Sequence, residues 1–298
     1  MSLIVSAIGQ GLLWALLGVG LYLTFRILNF ADMTVEGTFP LGAAVASTAL
    51  TRGISPWLAT LLAFGAGMLA GLVTGILYTK CKIPILLAGI LTMTAVYSIN
   101  LRIMGQSNLS LLGRKTVFSA PWLANLPRYF DSVCLGLIVI AIVTALLIFF
   151  LATDFGQAFI AAGDNPVMAK SLGIFPDKMV TTGLMLSNGL VALGGALIAQ
   201  NNGYADINMG IGTIVIALAS IIIGEVAFGN LTLSQRLISI SIGSIIYRLL
   251  LLGVLQLGFS PNDLNLISSL VLAICMFLPQ LEKHVRLRRA VYRGLHHD

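Results

Sequence analysis

The sequence predicts an all-α, polytopic membrane protein, on the strength of its composition, its long apolar segments and the placement of its basic residues. The 298 residues are 58% hydrophobic and only 9% charged. Soluble domains usually carry about 25% charged residues, so this chain has too few to cover a water-exposed surface. The net charge of +6 comes from cations in loops and in the C-terminal tail. Because they form no basic stripe, the sequence argues against nucleic-acid binding.

Nine segments are apolar and close to the length of about 20 residues that crosses a bilayer as a helix. They are residues 3–25, 30–50, 56–79, 83–103, 133–153, 179–200, 211–228, 234–256 and 264–281. The second and seventh are rich in glycine and polar residues, which predicts that either is broken or re-entrant. We therefore expect a transmembrane domain over residues 1–281 and a basic cytoplasmic tail over residues 282–298.

The basic residues predict that the N-terminus lies outside and the C-terminus inside, because cytoplasmic loops carry the excess of Lys and Arg. With this orientation the inner loops and the tail hold Arg26, Lys80, Lys82, Lys170, Lys178, Arg236, Lys283, Arg286, Arg288, Arg289 and Arg293. The outer loops hold Arg52, Arg102, Arg114, Lys115 and Arg128. The loop Asp154–Lys178 is then cytoplasmic.

That loop, DFGQAFIAAGDNPVMAKSLGIFPDK, is a polar interruption between apolar spans and carries its own helix signals. Asn165 suits the N-cap, Pro166 the first helical position and Gly173 the position after the C-cap. The pattern predicts a helix of about two turns at the membrane surface. A short capped helix in a loop indicates a segment that is presented to a partner.

A short internal similarity links the second and seventh segments. Phe30-Ala31-Asp32-Met33-Thr34 opens one and Tyr204-Ala205-Asp206-Ile207-Asn208 opens the other. An odd number of segments separates the copies, so they are inverted relative to one another. Inverted repeats are typical of transport proteins, with the substrate path between the halves. Chance explains so short a match equally well.

Two acidic residues in the second segment are candidates for a solute path. Asp32 and Glu36 are four residues apart and share one face of a helix, and carboxylates near a membrane core often mark such a path. Asp32 has an equally good structural interpretation, in which Asn29 caps the helix and the acid meets the positive end of its dipole. Glu36 lies one turn deeper, before Pro40, and is the better functional candidate.

Further polar residues interrupt other spans. Arg248 lies deep in the eighth segment, where we expect it to pair with Glu36 or Glu225 unless its side chain reaches the interface. Thr92 and Asn188 lie in the fourth and sixth segments, where polar side chains commonly join helices. The predicted translocation path comprises Asn29, Asp32, Thr34, Glu36, Thr92, Asn188 and Arg248.

The sequence contains no pattern for chemistry of its own. It has no GxxxxGK[ST] phosphate loop, no HExxH helix and no glycine-rich dinucleotide turn. The cysteines are scattered without a CxxC pair, and no metal-ligand set is present. We expect no cofactor in this chain, and if it pumps a solute against a gradient, the energy has to come from elsewhere.

One motif of the polar loop resembles a known family: Gly156-Gln157-Ala158, then Ala161 to Pro166, Ala169 and Ser171-Leu172-Gly173-Ile174. It is similar to the cytoplasmic motif in permeases of branched-chain amino acid and ribose-type ABC importers. The stretch from Leu28 to Ala43 resembles the N-terminal signature of that family. Its FADxTVEGxFPLGAA form is similar to permeases linked to amino-acid-type solutes, including aromatic ones.

The resemblance implies a permease subunit in two copies, two copies of a separate ATPase that binds ATP and Mg, and an extracytoplasmic solute-binding protein. It also implies a coupling helix that docks on the ATPase. The coupling residues would be Ala162, Gly163, Asp164, Asn165, Pro166, Ala169, Lys170, Leu172, Gly173 and Ile174. The alternatives are a secondary transporter with Asp32 or Glu36 as an ion or proton site, and, more distantly, a membrane-embedded enzyme.

Overall fold

The computed structural model describes residues 2–120, 123, 127, 129–229, 231–258, 266–275 and 277. The helices of the first half are α1 (Ser2–Tyr22), α2 (Val35–Thr51), α3 (Pro56–Thr79), α4 (Ile85–Met104) and α5 (Phe130–Ala152). Those of the second half are α6 (Asp154–Asp164), α7 (Pro166–Ser171), α8 (Pro176–Asn202), α9 (Thr213–Phe228), α10 (Leu233–Gln256) and α11 (Leu266–Cys275). A π turn (Leu23–Ile27) extends α1, and 3-10 turns cover Val117–Ser119 and Ile207–Gly210.

The all-α polytopic prediction is confirmed, although the count of nine spans is approximate. Within the described residues, 7 helices are long and apolar enough to cross a membrane. The second segment forms α2, which has only 17 residues and follows an irregular stretch. Of the ninth segment the structure describes the short apolar helix α11 and residue 277. The basic tail over residues 282–298 lies outside the described residues.

Helix α8 is the centre of the bundle and packs against α1, α2 and α3. Glycines make this close approach possible. A Cβ at Gly42 of α2, or at Gly67 or Gly71 of α3, would overlap the backbone of α8. Small residues let membrane helices approach until their backbones touch, which maximises van der Waals contact where lipid offers no hydrophobic driving force. The position of α2 relative to α8 is therefore tightly fixed.

The outer surface of the bundle is apolar, as a lipid-facing surface has to be. Leu61 and Leu69 on α3 and Leu146 and Phe149 on α5 are all more than half exposed. In water, an exposed apolar surface of this extent would favour association. In a bilayer the same side chains contact acyl chains at no such cost.

A small antiparallel sheet closes the end of the bundle opposite to α6 and α7. Strands β1 (Asn108–Ser110) and β2 (Tyr204–Asp206) pair with Asn108 opposite Asp206. Since β1 precedes the span-length α5 and α6 follows it, the sheet and α6 lie at opposite ends. This arrangement gives the molecule two distinct faces, one carrying the sheet and the other carrying the polar loop Asp154–Lys178.

Candidate functional site

The surface helix α7 has the predicted caps. Asn165 is its N-cap, with Oδ1 accepting a hydrogen bond of 3.0 Å from the backbone N–H of Met168. Pro166 occupies the first helical position, and Gly173 has a φ of +83° just beyond the end of the helix. Gly173 is therefore in the left-handed region that glycine tolerates best. The helix itself ends at Ser171, and the backbone N–H of Ile174 closes the following turn onto the carbonyl of Ala169 at 3.0 Å.

The polar loop presents an apolar surface outwards. Val167 is 80% exposed, and Met168, Leu172 and Phe175 are also mostly exposed. Ala169 is fully buried beneath them. Exposed apolar side chains on a loop that otherwise meets water are typical of a protein–protein contact. Sequence reasoning included Leu172 in this contact but missed the other three, and the available signal was that they are large apolar residues that follow Asn165–Pro166 within a polar loop.

The predicted coupling residues divide by burial. Those that are exposed are Asp164, Asn165, Pro166, Lys170, Leu172 and Gly173. Ala162 and Ala169 are buried, while Gly163 and Ile174 are partly buried. The first group is available to a partner, and the others attach the loop to the bundle.

Helix α6 was not predicted from the sequence, although a signal for it exists. Thr153 is its N-cap, with Oγ1 accepting a hydrogen bond of 3.2 Å from the backbone N–H of Gly156. The ring of Phe159 is buried against α8, where a Cβ at Gly183 would approach it to 2.5 Å. Helix α6 therefore attaches the polar loop rigidly to the central helix of the bundle.

The loop also contacts the end of the first span directly. A Cβ at Gly163 would overlap the backbone carbonyl of Ile27. Beside it, Asn29 Nδ2 donates a hydrogen bond of 3.3 Å to the carbonyl oxygen of Gly163. The interpretation of Asn29 as the cap of α2 is wrong. Its φ of +59° and its side-chain bond direct it to the polar loop, and α2 begins only at Val35.

The carboxylate of Asp32 is buried, with 1% of the residue exposed, and the groups bonded to it in the described part of the chain are neutral. Oδ1 accepts from the backbone N–H of Thr34 at 2.9 Å, and Oδ2 accepts from Asn188 Nδ2 at 2.6 Å. Asn188 in turn accepts from Thr38 Oγ1 at 2.8 Å and donates to the carbonyl of Leu184 at 3.0 Å. Asn188 lies near the middle of α8, so this network joins the start of α2 to the centre of the bundle.

Threonine hydroxyls extend the connection to two further helices. Thr34 and Thr74 Oγ1 atoms are 2.9 Å apart, and Thr74 donates to Thr92 Oγ1 at 2.9 Å. The predicted path residues Asp32, Thr34, Thr92 and Asn188 are therefore bonded to one another or to neighbouring helices. Buried polar groups satisfied in this way fix helix positions. Their role in solute passage stays a prediction.

The two halves of the internal similarity adopt the same local turn. Asp32 Oδ1 accepts from the N–H of Thr34, and Asp206 Oδ1 accepts from the N–H of Asn208 at 2.7 Å. Each aspartate thus bonds to the backbone two residues on, as Asx turns do. The shared geometry favours a genuine repeat over a chance match.

Glu36 has a different environment from Asp32. It is partly buried, and its Oε1 accepts one hydrogen bond of 3.2 Å, from the backbone N–H of Gly212. It borders a cavity of ≈ 320 Å³ between α2, α4 and the 3-10 turn Ile207–Gly210. Of the predicted path residues, Glu36 is the one whose carboxylate faces open space within the described part of the chain.

The expected pairing of Arg248 with Glu36 or Glu225 is wrong. The Arg248 guanidinium lies over the indole ring of Trp14, with 4.3 Å from Cζ to the ring centroid. Glu225 instead pairs with Arg26 at 3.0 Å and with Arg236 at 3.8 Å. In the structure Arg248 faces Trp14 of α1, and Glu225 faces Arg26 at the end of the first span. Spacing along the sequence could not show either direction.

Comparisons with known proteins agree with this architecture. Residues 3–278 match the family model described as the permease component of branched-chain amino acid transport systems. The chain is 44% identical over 272 residues to a tyrosine transport system permease protein of Clostridioides difficile, with 91% of this chain and 90% of the relative covered. It is 27% identical over 285 residues to a galactofuranose transporter permease protein of Escherichia coli, with 93% and 79% covered.

A solved structure shows the same fold at low sequence identity. PsaBC from Streptococcus pneumoniae, in complex with a Fab, superposes with a TM-score of 0.54 at 13% identity. The match covers 96% of this chain and 94% of that chain.

The multi-pass helical bundle and the match over residues 3–278 together define the class of this protein as an ABC importer permease. The chain belongs to the family of branched-chain amino acid transport system permease components. It is therefore a non-catalytic transport subunit of a bacterial ABC importer, and membership implies an ATPase and a solute-binding protein as partners. The secondary-transporter and enzyme alternatives are set aside.

Proposed function

We propose that this permease imports an amino-acid-type solute, including aromatic amino acids, as a homodimer driven by an ATPase that contacts residues 162–174. The ATPase binds ATP and Mg, and the chain lies in the bacterial inner membrane with its N-terminus outside and its C-terminus inside. The observation that carries the proposal is the position of the polar loop, which offers an apolar surface on one side and is bonded on the other side to the stretch of chain that leads into α2.

An ATPase contact is supported by the shape and chemistry of the loop. The apolar side chains of Val167, Met168, Leu172 and Phe175 point away from the bundle. Asn165 and Gly173 cap and end the helix that carries Val167 and Met168, so this part of the surface is rigid rather than a flexible tether. A rigid helix can pass on a rigid-body movement of the protein bound to it.

The inward side of the loop is joined to the stretch of chain that leads into α2. Gly163 contacts the backbone at Ile27 and accepts the hydrogen bond from Asn29. Only two residues separate Asn29 from the buried Asp32, which is bonded to α8 through Asn188. A displacement of the loop would therefore act on the short helix α2 through a continuous set of packed and hydrogen-bonded atoms.

The orientation rests on the cations. Arg26, Lys82, Lys170, Lys178 and Arg236 lie in or beside the segments at the face that carries α6 and α7. Lys82 forms an ion pair of 3.5 Å with Asp177 at this face, and Arg26 pairs with Glu225. Basic residues mark the cytoplasmic side of membrane proteins, which supports a cytoplasmic position for the polar loop.

A second copy is supported by the polar groups that α4 exposes. Tyr97 and Ser98 are exposed on a helix of 20 residues that is otherwise apolar enough to cross the membrane. Polar side chains facing lipid lack partners, whereas at a subunit interface or along a water-filled path they find them. If two copies pair through their α4 helices around such a path, these polar side chains find partners in the second copy or in water.

The solute class is supported by the relative from Clostridioides difficile, whose printed name is that of a tyrosine transport system permease. To test it, the permease, its ATPase and the binding protein would be reconstituted in proteoliposomes with radiolabelled L-tyrosine outside. We expect uptake that requires ATP inside and persists when the proton gradient is collapsed. Uptake that follows the proton gradient, or the absence of L-tyrosine uptake beside uptake of another solute, would refute this assignment.

The coupling contact has its own test. A cysteine at Met168, in a background lacking Cys81, Cys134 and Cys275, is expected to cross-link to cysteines on the surface of the ATPase. A cysteine at Leu112, which is 90% exposed beside β1 on the opposite face, is the matched control and should not cross-link. Equal cross-linking at both positions would contradict the proposed docking face.

A further inference from the structure

We infer that the cavity at Glu36 is a subsite that binds the ammonium group of the solute as it passes through the permease. The inference deepens the proposed function and rests on it. It assigns to Glu36 and Asn100 the recognition of one chemical group, which separates solutes with an amino group from those without.

The cavity has the size and lining of a small-molecule site. Its ≈ 320 Å³ falls at the lower end of the range of about 300–1,000 Å³ that is usual for such pockets. The walls are largely apolar, with Pro40, Met93, Ile207 and Ile211 among them. Among the described residues, Glu36 is the one charged residue that lines it. A mostly apolar cavity with a few polar groups binds a ligand by its apolar body and orients it by its polar end.

The carboxylate of Glu36 has spare capacity to accept hydrogen bonds. A carboxylate can accept about four, and in the described part of the chain Glu36 accepts one, from Gly212 N–H. Within the described part of the chain no Lys or Arg forms an ion pair with Glu36. The acids in the ion pairs found among these residues are Glu225 and Asp177. Asp32, one turn earlier, differs in that both of its oxygens are bonded and it is buried.

Asn100 supplies a second unsatisfied acceptor. It lines the same cavity and is fully buried, and its Nδ2 donates to the carbonyl of Gly37 at 3.4 Å. Its Oδ1 is buried and has no hydrogen-bond donor among the described residues. A buried acceptor without a donor costs about 1–3 kcal/mol, so this position favours a ligand that donates.

Two acceptors beside an apolar wall define the complementary ligand. An ammonium group carries a positive charge and three donors, as the lysine head group does, and can satisfy both Glu36 and Asn100. A bare metal ion fits less well, because no group of three or more His, Cys, Asp or Glu side chains suited to a metal exists in the described residues. The apolar walls also indicate a cation that carries an organic body.

The cavity is held open by close backbone contacts on two sides of Glu36. A Cβ at Gly210 would overlap the carbonyl of Glu36, and a Cβ at Gly37 would approach Met93 Cα to 3.0 Å. The start of α2 is therefore packed against the 3-10 turn on one side and against α4 on the other. These contacts hold the backbone at Glu36 beside the cavity, and Tyr97 lies at the exposed edge of the cavity.

Uptake by the full assembly provides the first test. In proteoliposomes, Glu36→Gln is expected to lower kcat/KM for L-tyrosine uptake by about tenfold or more, since a charge-assisted contact is lost. Glu36→Asp should restore part of the loss, and Asp131→Asn, an acid at the start of α5, should keep the wild-type rate. Equal uptake by the wild type and Glu36→Gln would overturn the subsite while leaving the proposed import of L-tyrosine intact.

A labelling experiment tests the cavity without altering Glu36. The variant Tyr97→Cys, in the cysteine-free background, is labelled with a maleimide in the assembled importer. L-tyrosine and L-leucine at millimolar concentration are expected to slow labelling, whereas their analogues without the amino group are not. Equal protection by the analogues, or no protection by any probe, would overturn the inference. If L-tyrosine uptake is absent but L-leucine still slows labelling of this variant, the subsite stands and the proposed aromatic solute fails.

Discussion

Asn29 and Gly163, separated by 134 positions in the sequence, are joined by a hydrogen bond of 3.3 Å from the Asn29 amide to the Gly163 carbonyl. This bond brings the polar loop into contact with the stretch of chain that leads into α2. It therefore connects the two family signatures, the stretch over residues 28–43 and the motif over residues 156–174. This connection and the interactions around it can be tested by substitution.

Adding one methyl group at Gly163 should uncouple transport. In Gly163→Ala, the new Cβ would overlap the carbonyl of Ile27, and relief of such a clash typically costs about 1–3 kcal/mol. We expect lower uptake for each ATP hydrolysed. Gly65→Ala in α3 is the matched control, because nothing lies within 4 Å of its added Cβ. Equal uptake-to-hydrolysis ratios in the two variants would contradict the role of this contact.

Removing the cap of α7 should loosen the surface helix. Asn165→Ala deletes the acceptor of the Met168 N–H, a change that typically costs about 1 kcal/mol of helix stability. Faster hydrogen–deuterium exchange over residues 166–171 is expected, while Asn165→Ser should resemble the wild type. An unchanged exchange rate in the alanine variant would show that packing alone maintains the helix.

Substitutions of Asp32 and Asn188 should have non-additive effects on thermal stability. Asp32→Ala leaves the Asn188 amide without its carboxylate partner, and an unsatisfied buried donor costs about 1–3 kcal/mol. Thermal unfolding followed by size-exclusion chromatography is expected to show a lower Tm for Asp32→Ala and for Asn188→Ala, with the double variant less unstable than their sum. The exposed Asp164→Ala is the control. Strict additivity would mean that the bond contributes little.

Substitutions of Arg248 and Trp14 should have non-additive effects on Tm, whereas those of Arg248 and Glu225 should be additive. A guanidinium over an indole ring is worth about 0.5–2 kcal/mol, depending on how far it is desolvated. Arg248→Gln combined with Trp14→Leu should be non-additive in Tm, whereas Arg248→Gln combined with Glu225→Gln should be additive. Non-additive changes in Tm for the second pair would instead indicate an ion pair between Arg248 and Glu225, one of the two pairings expected from the sequence.

Local signals in the sequence were sufficient to predict α7. The caps Asn165 and Gly173 act through bonds to residues a few positions away, so their roles could be read from spacing alone. The same rule would have found α6 through Thr153. The family motif could likewise be recognised because its residues are contiguous.

Long-range partners could not be predicted in this way. Asn29 occupies a position that suits a helix cap, but its side chain bonds to a residue on another segment. Arg248 was expected from its charge to pair with Glu36 or Glu225, although the direction in which each side chain points decides the partner. The sequence favoured Glu36 over Asp32 as the functional acid, but it could not show that Asp32 bonds to Asn188 and Glu36 to Gly212.

The bond between Asp32 and Asn188 has a consequence for biosynthesis. The ribosome makes Asp32 156 residues before the amide that accommodates it. Until then the carboxylate has only its turn bond to Thr34, and an acid in hydrocarbon with so few partners is costly. We therefore expect α2 to wait at the lipid headgroups, or in the insertion machinery, and to settle in the bilayer only after α8 emerges. Chains truncated before α8 should accordingly be degraded rapidly in the cell.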